Sequence, residues 1–162
     1  MNTEQTKTSL SNLIERGGIH YDVPGLNPAE VLSALIEKTP QIPNVSKDEI
    51  RNALLEREAL MSTSIGRGIA LPHPRNPIIA DEASQFTALA FLQHPVDWSS
   101  LDGKPVTILL LILSASARQH LKILSEVNYI CRQEDFYSLL NKRARKKDLL
   151  EYIIEAEKKW KT

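Results

Sequence analysis

The chain has 162 residues, of which 42% are hydrophobic and 25% are charged, a composition typical of one globular domain of ordinary size. Its 20 Lys+Arg balance its 20 Asp+Glu, which excludes the basic field expected of a protein that binds nucleic acid or an anionic membrane. The longest apolar run, residues 106–113, is far shorter than the about 20 residues of a membrane helix. We therefore predict a single domain over residues 1–162 with no membrane insertion.

The N-terminus and the cysteine content indicate a cytoplasmic protein. The first ten residues, "MNTEQTKTSL", lack the apolar stretch of a secretory signal. Cys131 is the single cysteine and cannot form an internal disulfide, which favours a reducing compartment. The spacing of the four histidines and the cysteine resembles no metal-ligand motif, so we predict no metal site.

The first half of the chain predicts short helices around one strand. Apolar residues at helical spacing, followed by two glycines, predict a short N-terminal helical segment within residues 1–18, and residues 19–23 alternate like a strand. Asn27, placed before a proline, predicts the start of a helix. Ser46 opens a capping box in "SKDE", and its helix should end near Leu60.

The second half predicts three extended segments followed by helices. Residues 68–71 are predicted to form a short extended stretch, and two stronger strands are predicted at 86–93 and 106–113. The pattern becomes helical from Ser116. Four residues are predicted to form the buried face of this helix: Leu121, Leu124, Val127 and Ile130. Further helices are predicted around Phe136–Leu140 and Leu149–Ile154, and the basic run at 141–151 is predicted to be a solvated helix face. Together these elements predict an α/β fold, a three-layer α/β/α arrangement with a mixed sheet.

One histidine lies in an unusually constrained setting, in "MSTSIGRGIALPHPRNP" at residues 61–77. Pro72 fixes its own φ, and Pro74 disfavours a helical conformation at His73. A neutral imidazole is a good nucleophile near pH 7, since its reference pKa is about 6.5. The sequence therefore predicts a reactive His73 whose ring orientation is partly set in advance.

The residues around His73 are those that phosphoryl transfer requires. Gly66 and Gly68 allow backbone N–H groups to converge on an anion. Arginines are placed nearby at 57, 67 and 75, and positive groups stabilise spreading oxygen charge. A Gly- and Pro-rich loop is usually a plain turn and loop arginines are usually solvated, and no Walker lysine follows the glycines.

The stretch "LLEREALMSTSIGRGIALPH" resembles the phosphorylation-site signature of the IIA proteins of the sugar phosphotransferase system, in the fructose–mannitol–nitrogen-regulatory family. "HPVDWSSLDGKPVTILLLIL" is similar to the family's segment ending in Asp-Gly-x-Pro-Val and an apolar strand, and "HLKILSEV" to its later histidine-containing helix. These segments cover most of the chain in the expected order.

The resemblance implies a role for each matching residue. His73 would be the phosphoryl acceptor, on Nε2, with His120 as the second active-site histidine. Arg57 matches an arginine near the phosphate, and Ser62 and Thr63 match a hydroxyl pair. The phosphate-binding set predicted here comprises Ser62, Thr63, Gly66, Arg67, Gly68 and Arg75.

The resemblance also implies the partners. His73 would receive its phosphoryl group from a small phosphohistidine carrier protein (HPr-like) and pass it to a IIB protein, or keep it as a signal to a regulated target. The family requires no metal or organic cofactor. Nucleic acid is not an expected partner, and a homodimer is left open.

Two departures from the family pattern concern the loop itself. Family members commonly carry a small residue and then lysine after the Pro-His, where this chain has Pro74 and Arg75. Proline removes one backbone N–H, and the planar guanidinium of Arg75 is able to compensate. Arg67 stands where some sugar-specific members have an acidic residue.

Three functional hypotheses follow, beside a hydrolase, for which the spacing shows no arrangement of nucleophile and base. The chain resembles no IIB or membrane IIC domain, and "GGIHYDVPG" resembles the nitrogen-regulatory type, so a regulatory phosphocarrier is the leading hypothesis. The second is a stand-alone IIA for fructose- or mannitol-type uptake. The third is an interaction module that keeps the fold without phosphorylation, for which Pro74 is the argument.

Overall fold

Five strands form one mixed sheet in the computed structural model, which describes residues 9–160. The strands are β1 (Ile19–Val23), β2 (Ser64–Gly66), β3 (Ile69–Ala70), β4 (Phe86–Val96) and β5 (Val106–Leu113), in the spatial order β1-β4-β5-β3-β2. β1 runs parallel to β4, and β3 parallel to β5, whereas β4 pairs with β5 and β2 with β3 in antiparallel fashion. The carboxyl ends of β3 and β5 therefore lie at the same edge of the sheet.

Helices cover both faces of this sheet. Four helices pack against one face: α1 (Leu10–Gly17), α4 (Ala117–Cys131), α5 (Glu134–Asn141) and α6 (Lys146–Trp160). Two helices pack against the other face: α2 (Pro28–Glu37) and α3 (Lys47–Leu60). β5 is apolar from Ile108 to Leu113 because its side chains alternate between the two cores: Ile108, Leu110 and Ile112 enter one, and Leu109, Leu111 and Leu113 the other. The predicted three-layer α/β/α fold is confirmed.

The predicted helix boundaries are confirmed where a capping side chain fixes them. Asn27 Oδ1 accepts a hydrogen bond from the Glu30 N–H at 2.9 Å. Ser46 Oγ accepts from the Glu49 N–H at 3.1 Å, and the Glu49 carboxylate accepts from the Ser46 N–H at 3.4 Å, a reciprocal capping box. α1 begins at Leu10, and the part of the predicted N-terminal segment at residues 1–8 lies outside the described residues.

The region predicted as one extended stretch at 68–71 is instead the second half of a β-hairpin. β2 precedes it, and the turn places Gly66, Arg67 and Gly68 at φ 86°, 59° and 83°. Three consecutive left-handed residues reverse the chain, which a strand pattern does not reveal. β4 also extends beyond its predicted end to Val96, with a register shift after Phe91 that accommodates Pro95.

The predicted buried face of α4 is partly wrong. Leu121 is 66% exposed, and the buried residues are Ile123, Val127, Ile130 and Cys131. At about 100° per residue, Leu121 lies on the side of the helix opposite to Ile123.

The basic run at 141–151 is not one helix face. It crosses the connection between α5 and α6. Within that connection Arg143 has φ 50° and pairs with Asp22 at 2.9 Å.

Among the helices of residues 9–160, none combines the length and the apolar character needed to cross a membrane.

Candidate active site

Leu71 and Pro72 connect β3 to His73, and backbone hydrogen bonds hold them from both sides. The Leu71 N–H donates to the Thr63 carbonyl at 3.0 Å, and the Pro72 carbonyl accepts from the Ile112 N–H at 2.9 Å. These bonds continue the pairing of β3 with β2 and β5. His73 is thereby delivered to the edge of the sheet where β3 and β5 end.

The His73 ring is fixed by one short hydrogen bond. Nδ1 lies 2.6 Å from the Leu71 carbonyl oxygen. A carbonyl only accepts, so Nδ1 carries the proton and Nε2 presents its lone pair. This tautomer is the one that a nucleophile reacting through Nε2 requires.

The second histidine comes from the first turn of α4. Ser116 caps this helix, since its Oγ accepts from the Gln119 N–H at 3.1 Å and its carbonyl from the His120 N–H at 2.9 Å. The His120 ring lies against that of His73, with 4.7 Å between ring centroids and 42° between ring planes. The structure thus brings the two predicted histidines into contact.

Burial and positive charge favour the neutral form of both imidazoles. Burial lowers the pKa of His73 below its ordinary 6.5, the hydrogen bond to Leu71 opposes this, the Arg57 guanidinium lowers the pKa further, and Glu58 raises it. The pKa of His120 is also lowered by burial, then by His73 and by Arg57. The neutral form of both rings therefore predominates at neutral pH.

Arg57 and Glu58, in the last turn of α3, organise the loop before β2. Arg57 Nη1 donates to the Met61 carbonyl at 2.5 Å. Glu58 accepts from the Thr63 N–H at 3.1 Å and also from the Thr63 hydroxyl. The charge of Arg57 also acts on both histidines.

The predicted hydroxyl pair is already engaged. Ser62 Oγ donates to the Trp98 carbonyl at 2.5 Å and accepts from the Ser64 N–H at 3.1 Å. The Thr63 hydroxyl donates its one proton to Glu58. In this arrangement neither hydroxyl has a proton left for a phosphate oxygen, so both residues build the loop.

The G-R-G turn is not brought beside His73. It lies at the closed end of the hairpin, and at a rise of about 3.3 Å per residue it is about 10 Å along the strand from Leu71. The Arg67 N–H donates to Asp102 at 3.0 Å, and its guanidinium pairs with Glu134 at 3.0 and 3.2 Å and stacks 3.5 Å from the Tyr137 ring centroid. Gly66 and Gly68 serve the turn, which corrects the expectation of a phosphate nest at Gly66, Arg67 and Gly68.

A shallow cavity of about 210 Å³ opens next to His120. It is lined by Pro74, Arg75, Asn76, Pro77, Ser114, Ala117, His120 and Leu121. Arg75 is exposed at its rim. The first turn of α4 contributes Ala117, so the positive end of the helix dipole also lies at this cavity.

Sequence reasoning missed two residues at the site. Glu58 was visible only as the second half of the Arg-Glu pair, and Leu121 was assigned to the core although it follows His120 directly.

Within residues 9–160 no group of three or more His, Cys, Asp or Glu residues is arranged to hold a metal ion. The arrangement offers a neutral nucleophilic imidazole, a second imidazole in contact and cationic groups around them, which suits transfer of an anionic group.

Comparison with known proteins gives a family match over most of the chain. The model of the family described as "Phosphoenolpyruvate-dependent sugar phosphotransferase system, EIIA 2" matches residues 12–156. The nitrogen regulatory protein of Pseudomonas aeruginosa is 28% identical over 151 residues, covering 91% of this chain and 96% of that protein. The fructose-specific EIIA component of Haloferax volcanii is 30% identical over 111 residues, covering 67% of this chain and 70% of that protein.

Solved structures share the fold. The nitrogen regulatory protein IIA-Ntr from Neisseria meningitidis superposes with a TM-score of 0.77 at 21% identity, covering 88% of this chain and 97% of that one. A complex of enzyme IIAMTL with phosphorylated enzyme IIBMTL from Escherichia coli contains a chain that matches with a TM-score of 0.62 at 17% identity, covering 86% and 95%.

Proposed function

The chain belongs to the EIIA 2 family of the phosphoenolpyruvate-dependent sugar phosphotransferase system, and on this premise we propose that it is a phosphocarrier whose His73 accepts a phosphoryl group on Nε2. The observation that carries the proposal is the 2.6 Å bond from Nδ1 to the Leu71 carbonyl. This bond leaves Nε2 as the nucleophilic nitrogen next to His120.

The transfer is a substitution at phosphorus. The Nε2 lone pair forms the new N–P bond as the N–P bond of the donor phosphohistidine breaks, and the released electron pair stays on the donor ring nitrogen. The proton of His73 stays on Nδ1, hydrogen-bonded to the Leu71 carbonyl, so His73 loses no proton when it reacts and its ring becomes a phosphorylated imidazolium. The product is a phosphohistidine on this chain.

Three features would stabilise the charge on the transferred group. The Arg57 guanidinium acts on both histidines, and the first turn of α4 directs its dipole at the same cavity. Arg75 stands at the rim, where a guanidinium binds phosphate oxygens in bidentate fashion. We assign Ser62 and Thr63 to shaping the loop.

The partners are proteins that present or accept the phosphoryl group. The donor would be a small phosphohistidine carrier protein, and the acceptor a IIB protein or a regulated target. Leu121, which is 66% exposed and lines the cavity beside His120, offers an apolar contact for such partners. We place the protein in the cytoplasm, where Cys131 stays reduced, and treat residues 1–162 as one domain.

We favour a regulatory role for this phosphocarrier. The match to a nitrogen regulatory protein extends over 91% of the chain. In that role, the added negative charge on His73 would change the surface that a target protein recognises. The alternative, a sugar-specific IIA, has its support in the match to a fructose-specific EIIA component. Passage of the phosphoryl group to a fructose- or mannitol-type IIB would separate the two roles.

The proposal is tested by incubation with phosphoenolpyruvate, the general phosphotransferase enzyme and a carrier protein, followed by intact-mass measurement. We expect an acid-labile gain of one phosphoryl group that His73→Ala abolishes. No gain with several carriers, in a reaction that labels a known IIA protein, would overturn the phosphocarrier role. Phosphorylation-independent capture of a partner by the same preparation would then support the interaction module that Pro74 suggested.

A further inference from the structure

A chain of hydrogen bonds links the end of α3 to the His73 ring. It runs from the Glu58 carboxylate through Thr63 and Leu71 to His73 Nδ1. Building on the proposed function, we propose that Glu58 and Thr63 are positioning residues for His73, which hold the Leu71 carbonyl where it selects the Nδ1–H tautomer.

Thr63 is the central link because all of its polar groups are used. Its N–H donates to one Glu58 oxygen at 3.1 Å, its hydroxyl donates to the other, and its carbonyl accepts from the Leu71 N–H at 3.0 Å. Its exposed fraction is only 6%. A buried residue with this many bonds has little freedom to move.

The Leu71 carbonyl depends on this link for its direction. Leu71 is anchored through its own N–H to Thr63, and the next residue is anchored through its carbonyl to Ile112 in β5. Pro72 and Pro74 have no N–H to contribute further pairing. Thr63 on one side and β5 on the other therefore fix the peptide that accepts the His73 proton.

Because the Thr63 hydroxyl already donates to Glu58, we expect Thr63 to position His73 and not to bind phosphate. A threonine hydroxyl has one proton, and here a carboxylate receives it. Binding a phosphate oxygen would require that bond to break and would leave the Glu58 carboxylate with one donor fewer. The contacts thus assign Thr63 to the ring orientation of His73.

The test compares Thr63→Val, which deletes the hydroxyl at constant shape, with Thr63→Ser, which retains it. The matched control is Thr39→Val. Thr39 is also buried, and its hydroxyl donates to the Ile36 carbonyl at 2.7 Å at the end of α2, so this variant loses a comparable bond elsewhere. The primary readout is the ring ¹⁵N spectrum of His73, which reports the tautomer without any phosphorylation. The second is the rate of phosphorylation by the carrier protein, and the third is the urea midpoint.

We expect Thr63→Val to shift His73 from the Nδ1–H form toward a tautomer mixture and to slow phosphorylation by about tenfold, as loss of an orienting partner does in other sites. Thr63→Ser should restore both, and Thr39→Val should lower the urea midpoint without affecting either. If Thr63→Val lowers only the urea midpoint and leaves the His73 tautomer unchanged, the positioning role is wrong. Because the tautomer is measured on the unphosphorylated protein, failure of the phosphocarrier role would not obscure this result.

Discussion

At the scale of single residues, the proposed phosphoryl transfer depends on keeping two adjacent imidazoles neutral. Burial is the largest cause of the lowered pKa of each, and Arg57 lowers both further. A neutral His73 is the reactive form, since a protonated Nε2 has no lone pair. The neighbouring positive charge that would stabilise a phosphoryl group thus also keeps the nucleophile available.

Replacing Arg57 tests this coupling. Arg57→Gln should raise the pKa of both His73 and His120 toward 6.5, measured by an NMR pH titration of the ring protons. Because the native pKa values of both histidines lie below 6.5, the unfolded chain binds more protons than the native protein as the pH falls below 6.5. The contribution of the two histidines to the free energy of unfolding is therefore complete above pH 6.5 and is lost as the pH falls through the lowered values. Unchanged titration curves in Arg57→Gln would show that the guanidinium does not act on the pair.

Arg75 is the residue whose role follows only from its location at the cavity. Arg75→Ala should lower the phosphorylation rate by about fivefold, the effect of ~1 kcal/mol from one exposed charge. Arg132→Ala, which removes another exposed arginine at the opposite end of α4, is the matched control and should leave the rate unchanged. Equal rates for the two variants would remove Arg75 from the site.

At the scale of the elements, one buried carboxylate links α6, the last helix, to the start of α1, the first. Glu157 in α6 accepts from the N–H groups of Leu10 and Ser11 at 3.0 and 2.9 Å, and it is only 6% exposed. A negative charge at the N-terminus of α1 satisfies free N–H groups and complements the helix dipole. Glu157 thereby holds α1 against the helices of its layer.

Glu157→Ala should lower the free energy of unfolding by about 2–3 kcal/mol, since two buried N–H groups lose their acceptor. The control is Glu155→Ala, which removes an exposed carboxylate paired with Lys158 at 3.0 Å in the same helix and should cost less than about 0.5 kcal/mol. Urea denaturation measures both. Equal midpoints would contradict the role of Glu157 as the cap of α1.

The elements also show what the sequence reveals and what it does not. Asn27 and Ser46 were predictable caps because the side chain and its backbone partner are close in sequence. The Glu157 cap was not, since its partners are far away along the chain. The hairpin turn was missed because Arg67 adopts a positive φ that its residue type does not signal.

At the scale of the whole molecule, the site is assembled where three elements meet. The end of α3 supplies Arg57, the segment after β3 supplies His73, and the start of α4 supplies His120. Local patterns could indicate His73 from its flanking prolines, whereas the contact with His120 depends on the parallel pairing of β3 with β5 that leads into α4. Family resemblance, and not spacing, was what assigned His120 to the site.

Exposure of Leu121 next to His120 gives a prediction about partners. Leu121→Ser should raise the KM for the carrier protein by about fivefold, the effect of ~1 kcal/mol at an interface, with kcat and the urea midpoint unchanged. The control is Leu26→Ser, 74% exposed, in the loop after β1, whose carboxyl end lies at the opposite edge of the sheet. A change in KM of the same size in both variants would mean that Leu121 has no specific part in docking.

The most direct test of the account is to locate the phosphoryl group itself. ¹⁵N-labelled protein, phosphorylated by the carrier protein, would be analysed for coupling between ³¹P and the ring nitrogens of its histidines. We predict coupling at Nε2 of His73, with Nδ1 still protonated and bonded to Leu71. Coupling at Nδ1 of His73, or at any ring nitrogen of His20, His94 or His120, would contradict the claim that the Leu71 carbonyl selects Nε2 of His73 as the nucleophile.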